Sequence, residues 1–132
     1  MPVYSNRSLG NLSTCHEDIQ TLFRKVIVYV DCTILCGHRG KEEQNRLYNL
    51  GRSRVVYPNS NHNVYPSIAV DVAPYPINWD DLARFYYFAG IVKGIAFEMG
   101  IELRFGGDWD GDLEVKDQNF NDLPHFELLG NK

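Results

Sequence analysis

Positive charge is in short supply: 13 Lys and Arg stand against 17 Asp and Glu, a net charge of −4 over 132 residues. A general nucleic-acid binder needs a basic face to replace counterions on the phosphates, so the composition argues for no nucleic-acid partner. Cysteine is scarce and odd in number. Cys15, Cys32 and Cys36 cannot all pair within one chain, which reads as a reducing compartment with thiols used as small buried apolar groups. Cys32 and Cys36 lack a second Cys or His pair at zinc-finger spacing, so they are not read as a structural zinc site. No apolar run approaches the roughly 20 residues that span a bilayer, which argues against stable membrane insertion. The start, Met1 to Arg7, has no basic-then-apolar leader and so predicts synthesis in the cytoplasm. Internal repeats and low-complexity tracts are lacking too.

What is there is globular. Hydrophobic residues make up 44% and charged residues 23%, which excludes a disordered or collagen-like chain. The length predicts one domain over 1–132, able to bury roughly two-thirds of its unfolded surface. Thr14-Cys15-His16-Glu17 has capping-box form and predicts a first helix there, with Ile19, Leu22, Phe23, Val26 and Val30 at helical spacing. Cys32 to Cys36 reads as a strand, and Gly40 to Leu50 as a polar surface helix closed by Gly51. Arg52 to Ser67 reads as a long loop, the kind that is usually functional or disordered. Ile68 to Val72 is a short strand stopped by Pro74 and Pro76. Asn78 is expected to cap the clearest helix, with Asp80 and Asp81 at its positive end and Gly100 as its stop; its apolar stripe runs from Trp79 and Leu82 to Met99. Ile101 to Phe105 and His125 to Leu129 read as strands, with an irregular stretch from Gly106 to Asn121 between them. Without a regular β-α-β repeat, the expected class is α+β: a small, largely antiparallel sheet packed against helices.

Two of the four histidines sit where chemistry is expected. His62 lies in the long loop before the strand that carries Asp71, and His125 follows Asp122-Leu123-Pro124. Two imidazoles and one carboxylate are a donor set that catalytic zinc uses, leaving the fourth position to a water whose pKa falls to about 7. Such a site needs a carboxylate to take a proton and later hand it to a leaving amine, and Asp122 is the candidate. Pro124 disfavours a regular strand there, and a turn would bring Asp122 and His125 to one pocket. Each residue also has a plain reading: His62 as a solvated loop residue, Asp71 as a cap on the following turn, His125 as a satisfied sheet histidine.

Ser60-Asn61-His62, Ala69-Val70-Asp71 and Asp122-Leu123-Pro124-His125 together resemble the zinc signature of the D-Ala-D-Ala carboxypeptidase and dipeptidase family, S-x-H-x-x-G-x-A-x-D with a distant [E/D]-x-x-H. Within it, the chain looks most like the phage endolysins that are L-alanyl-D-glutamate peptidases. Arg7 to Leu12, Asp71 to Pro74 running into Ile77-Asn78-Trp79, and Leu103 to Trp109 carry the likeness over nearly the whole chain. The resemblance implies a fold like that of the Hedgehog and D,D-peptidase domains, with Zn2+ as cofactor held by His62, Asp71 and His125. It implies Asp122 as general acid/base, Arg39 as an oxyanion stabiliser or substrate clamp, and Ser60 near substrate or ligand. It further implies peptidoglycan as substrate, a monomeric catalytic module with no separate wall-binding domain, and passage to the wall after holin-type release. A D-Ala-D-Ala carboxypeptidase and a non-catalytic zinc-stabilised binding domain are the alternatives on the same scaffold.

Two departures stand out. The family places His and Asp seven residues apart, whereas His62 and Asp71 are nine apart with Val64-Tyr65-Pro66 in the gap, and the family glycine is Ser67 here. Loop closure costs little per extra residue, but a lost glycine matters if the backbone needs a positive φ. Elsewhere, Asp108 to Asp112 resembles a calcium loop without EF-hand spacing and reads as a solvated acidic loop. Phe85 to Phe88 reads as core rather than a base-stacking platform. Glu127 can share a strand face with His125 and hydrogen-bond its imidazole, or simply face solvent.

Overall fold

The computed structural model describes residues 2–116 and 121–130. Its elements run α1 (Asn6–Leu12), α2 (Glu17–Tyr29), β1 (Cys32–Cys36), α3 (Lys41–Asn49), a single 3-10 turn (Asn61–Asn63), β2 (Ala69–Pro74), α4 (Leu82–Glu98), β3 (Leu103–Phe105) and β4 (His125–Leu128). The four strands form one antiparallel sheet in the order β1-β2-β4-β3. The class is α+β, as the mixed pattern predicts. Part of the irregular stretch, 117–120, lies outside the described residues.

Successive strand residues face opposite sides, and the register turns that period into two chemically distinct faces. Val70 pairs with Phe126, Val72 with Ile34, Leu103 with Leu128 and Phe105 with Phe126. These apolar residues join Phe23, Val26, Phe88 and Val92 of α2 and α4 in the core. Phe126, fully buried, is ringed by Phe23, Phe88 and Phe105 at centroid distances of 5.8, 6.2 and 5.5 Å. The alternate residues, Asp71, Arg104, His125 and Glu127, therefore share the other face.

Several local expectations need correction. Helix α1 exists upstream of the predicted first helix, with Ser5 Oγ accepting from Ser8 N at 3.1 Å. Thr14 does not cap α2. Its hydroxyl donates to Asn11 O at 2.7 Å and accepts from His38 N at 2.8 Å, while His16 Nδ1 takes the capping bond from Asp18 N at 3.0 Å. Asp81, not Asn78, caps α4, accepting from Arg84 N at 3.3 Å. Trp79 and Leu82 consequently lie before or at the helix start and are more than half exposed, so the core stripe begins at Phe85. Gly51 and Gly100 follow α3 and α4 with φ of +75° and +73°, left-handed stops as expected.

Candidate metal centre

Each feature of the site has a local cause. Asp71 stands in the middle of β2, paired with His125 of β4. On its other side the register of β1 slips by one residue between Ile34 and Cys36, so Cys36 rather than Leu35 faces Asp71. His62 rides on the 3-10 turn, where Ser60 Oγ accepts from His62 N at 3.1 Å and Asn63 Oδ1 accepts from Ser60 N at 3.0 Å. Asp122 reaches His125 through a tight turn, His125 N donating to Asp122 O at 3.0 Å. Gly106 makes that turn possible: its N–H donates to His125 O and its carbonyl accepts from Asp122 N, both at 2.8 Å. A Cβ on Gly106 would lie 2.0 Å from Asp122 O, so only glycine fits.

The extra residues between His62 and Asp71 leave on the surface, where Val64 and Tyr65 are 46% and 69% exposed. Ser67 returns the chain to the core by donating its N–H to Thr14 O and accepting from His16 N, each at 2.8 Å. Ser67 is not among the positive-φ residues, so its side chain replaces the family glycine without backbone strain.

The donor atoms converge. His62 is 2% exposed, and its Nδ1 bonds Gly37 O at 2.7 Å, which leaves Nε2 bare. That Nε2 lies 3.3 Å from Asp71 Oδ1, and His125 Nδ1 lies 3.3 Å from the same oxygen. Both His62 Nε2 and Asp71 Oδ1 are buried and lack hydrogen-bond geometry to any partner. The second oxygen of Asp71 accepts from Arg39 Nη2 at 3.3 Å. His125 Nε2 donates to Glu127 Oε1 at 2.7 Å, so its Nδ1 is the nitrogen turned to the cluster. Asp122 Oδ2 sits 3.8 Å from that Nδ1. Two overlapping groups, Cys36–His62–Asp71 and Asp71–Asp122–His125, each have ligand atoms within 4.8 Å of one another and share Asp71. A metal ion fits this set: a buried imidazole nitrogen and a buried carboxylate oxygen without hydrogen-bond partners, a second imidazole nitrogen 3.3 Å from that oxygen, and both imidazoles held by their other nitrogen.

The electrostatics match. Burial alone would push the Asp71 carboxyl up, but the facing His62 and His125 imidazoles and their contacts outweigh it and hold it well below the usual carboxylate range. Burial favours neutral His62, yet the Asp71 charge and contact raise it to about 10. On Asp122 burial is not outweighed: its carboxyl is pushed up, with the negative charge of Asp71 adding to the effect.

A cleft of ≈ 480 Å³ opens over these groups, and Arg39, Ser60, His62, Asp71, Asp122 and His125 all line it. Reading the sequence missed much of the support. Gln44, on the helix read as polar surface, is fully buried; its Oε1 accepts from Arg39 Nη1 at 3.0 Å and Asn63 Nδ2 at 3.3 Å. Its Nε2 donates to Ser53 Oγ at 2.8 Å and Val55 O at 2.7 Å, tying the long loop to Arg39. Glu127 takes the hydrogen-bonding option rather than solvent. The Trp109 ring packs against the His125 ring at a centroid distance of 5.2 Å, and the Arg104 guanidinium lies 5.6 Å from the Trp109 centroid. Asp108 is buried, with Leu113 N donating to its Oδ2 at 3.0 Å, so the acidic loop is not uniformly solvated. Phe85 and Phe88 do face the core, while Tyr87 is 75% exposed.

Fold and site together define a class: an α+β hydrolase-like domain whose sheet presents a His–Asp–His cluster, suited to a metal, beside a carboxylate at the mouth of a cleft. The chain belongs to the phage L-alanyl-D-glutamate peptidase family, whose sequence pattern matches residues 3–129. It is 28% identical over 134 residues to the L-alanyl-D-glutamate peptidase of Escherichia phage T5, covering 96% of this chain and 97% of that one. The crystal structure of the Serratia marcescens L-Ala D-Glu endopeptidase ChiX superposes with a TM-score of 0.75 at 28% identity, covering 96% of this chain and 90% of that one.

Proposed function

We propose that this chain is a zinc-dependent endopeptidase that cleaves the L-alanyl-D-glutamate bond of peptidoglycan stem peptides and acts as a phage endolysin. The observation that carries the reading is the pair of buried, unpartnered donors, His62 Nε2 and Asp71 Oδ1, with His125 Nδ1 completing the set. His62 Nε2, Asp71 Oδ1 and His125 Nδ1 would hold the ion. A bound zinc supplies Lewis-acid polarisation and makes a nucleophile available at neutral pH. Asp122, with its carboxyl pushed up and its side chain on the cleft, accepts a proton from the attacking water and passes it to the departing D-glutamyl amine.

Arg39 has two tasks. Its Nη2 occupies Asp71 Oδ2, leaving Oδ1 alone for the ion, and its positive charge faces the carbonyl oxygen as that oxygen becomes negative. Ser60 acts on substrate through the lining it shares with His62, and it holds the His62 turn by its hydroxyl. Residues 1–132 work as a monomeric catalytic unit, made in the host cytoplasm and brought to the wall by holin-type release. No described helix is long and apolar enough to cross a membrane.

Digestion of purified peptidoglycan with and without added zinc, followed by mass spectrometry, tests the reading. Fragments ending in L-alanine, with matching D-glutamyl amines, are expected only when the metal is present. Release of terminal D-alanine alone would reassign the chain as a carboxypeptidase. Tight zinc binding without any cleavage would leave a binding domain.

A further inference from the structure

The cleft has one wall that the reaction as described does not use. Residues 52–55, which follow α3, contribute Arg52 and Arg54 to the lining, and both side chains are exposed. This segment is built rather than loose. Arg52 N and Ser53 N both donate to Leu47 O, at 2.8 and 3.3 Å. Buried Gln44 grips the segment from beneath through Ser53 Oγ and Val55 O, at 2.8 and 2.7 Å. The three acids on the lining are engaged at the floor: Asp71 with Arg39, Glu127 with Arg104, and Asp122 beside His125. Arg52 enters none of the ion pairs of the described residues, whereas Arg54 is already engaged within the protein. Trp79 and Trp109 also line the cleft. A protein of net charge −4 thus keeps two arginines on a pinned backbone at the mouth of its candidate site.

Resting on the peptidase reading, we propose that Arg52, with Arg54 adding positive charge beside it, forms an anion subsite for the free carboxylate of the D-glutamyl residue, on the leaving-amine side of the scissile bond. The substrate chemistry calls for such a group. A glutamyl residue within a peptide uses one carboxyl to continue the chain and keeps the other free, only a few bonds from the amide being cut. In an otherwise acidic protein that carboxylate is repelled unless a local cation receives it, and guanidinium matches a carboxylate with paired donors. The subsite makes the enzyme read glutamate by its charge as well as by the bond it forms.

The test uses the zinc-loaded full chain and two synthetic stem peptides, identical except that the free D-glutamyl carboxylate is a carboxamide in one. Wild type is expected to favour the carboxylate peptide by roughly tenfold or more in kcat/KM, mostly through KM, the range a charged hydrogen bond supports. In the double variant R52Q/R54Q the two peptides should fall within about twofold of each other, and R52K/R54K should restore most of the preference. The ratio is internal to each preparation, so partial misfolding does not mimic the result. Equal rates in wild type, or a preference surviving in R52Q/R54Q, overturns the subsite. Failure of wild type to cut either peptide after L-alanine overturns the peptidase reading, and the subsite with it.

Discussion

Replacing Glu127 by glutamine keeps the size of the side chain and removes what the site needs from it. Glu127 is 4% exposed and collects donors from three segments: His125 Nε2 at 2.7 Å, Asn61 Nδ2 at 2.9 Å and Arg104 Nη2 at 2.5 Å. These contacts hold its carboxyl down at about 2 even though burial opposes that shift. A glutamine amide has one acceptor oxygen and two donors of its own. Whichever way it turns, an N–H faces either His125 or the Asn61–Arg104 pair, so a buried donor loses its partner at a cost of about 1–3 kcal/mol. The tautomer follows from the same contact. When His125 holds a single proton, as a metal ligand must, Glu127 keeps that proton on Nε2 and leaves the Nδ1 lone pair for the ion; with glutamine that preference is gone. Losing the hydrogen-bond partner of a ligating histidine typically weakens metal binding 10- to 100-fold, or about 1.4–2.7 kcal/mol. Competition with a chromogenic chelator should show that loss for E127Q, with hydrolysis recovered at excess zinc. An E127Q protein that folds normally and binds zinc within about threefold of wild type would refute the claim that Glu127 sets the His125 donor.

On the proposed mechanism, Asp122→Asn should lower kcat by roughly 10²- to 10⁴-fold while zinc affinity stays within a few-fold, because it removes the proposed proton carrier and leaves the three candidate donors in place; a large loss of zinc would mark Asp122 as a ligand instead. Gln44→Leu should cost about 3 kcal/mol by urea denaturation, since it strands buried partners on Arg39, Asn63 and the 53–55 segment; a change under 1 kcal/mol would mean those bonds are replaced by water. Burial pushes the Cys15 thiol up to about 12 and the Cys32 thiol up to about 11. A thiol reagent at pH 8 should therefore find only half-buried Cys36 in the native protein and all three thiols in denaturant. Because these folded-state values lie above the unfolded ones, the stability they contribute is complete below about pH 9 and lost as pH rises through 11–12, so the urea midpoint should fall across that window.

The strands were legible as short apolar runs bounded by Gly or Pro, with alternation clear in β3, and α4 because its buried face runs from Phe85 to Ala96 and ends at a left-handed Gly100. Helix α1 was not. It has seven residues and buries only Ser8 and Leu12, too little for a periodic stripe, and its start rests on one serine hydroxyl. The misplaced caps share a cause. Thr14 and Asn78 are good capping types, but the Thr14 hydroxyl is taken by the carbonyl of Asn11 one turn back and by the distant His38 N–H, and Asp81 stood nearer the first helical residue than Asn78. Gln44 was invisible for a deeper reason: a buried amide satisfied by a loop 9–19 residues away leaves the same local pattern as a solvated one.

Residue types alone pointed weakly to the candidate ligands and the resemblance strengthened them; the structure explains how a chain that departs from the family spacing still brings them together. Asp71 and His125 owe their proximity to strand register alone, so changes in loop length do not reach them. His62 is the one that depends on a loop, and it is fixed at both ends. Its Nδ1 is tied to Gly37 O just after β1, and its carbonyl accepts from Arg39 N at 2.8 Å. Ser67 is tied to the turn before α2 on the far side of the insertion. Between these anchors the added residues can leave on the surface without moving either donor, because the loop closes on fixed points and each extra residue costs only a fraction of a kcal/mol. Shortening that loop should therefore leave the His62–Asp71 contact in place, whereas breaking either anchor should open it.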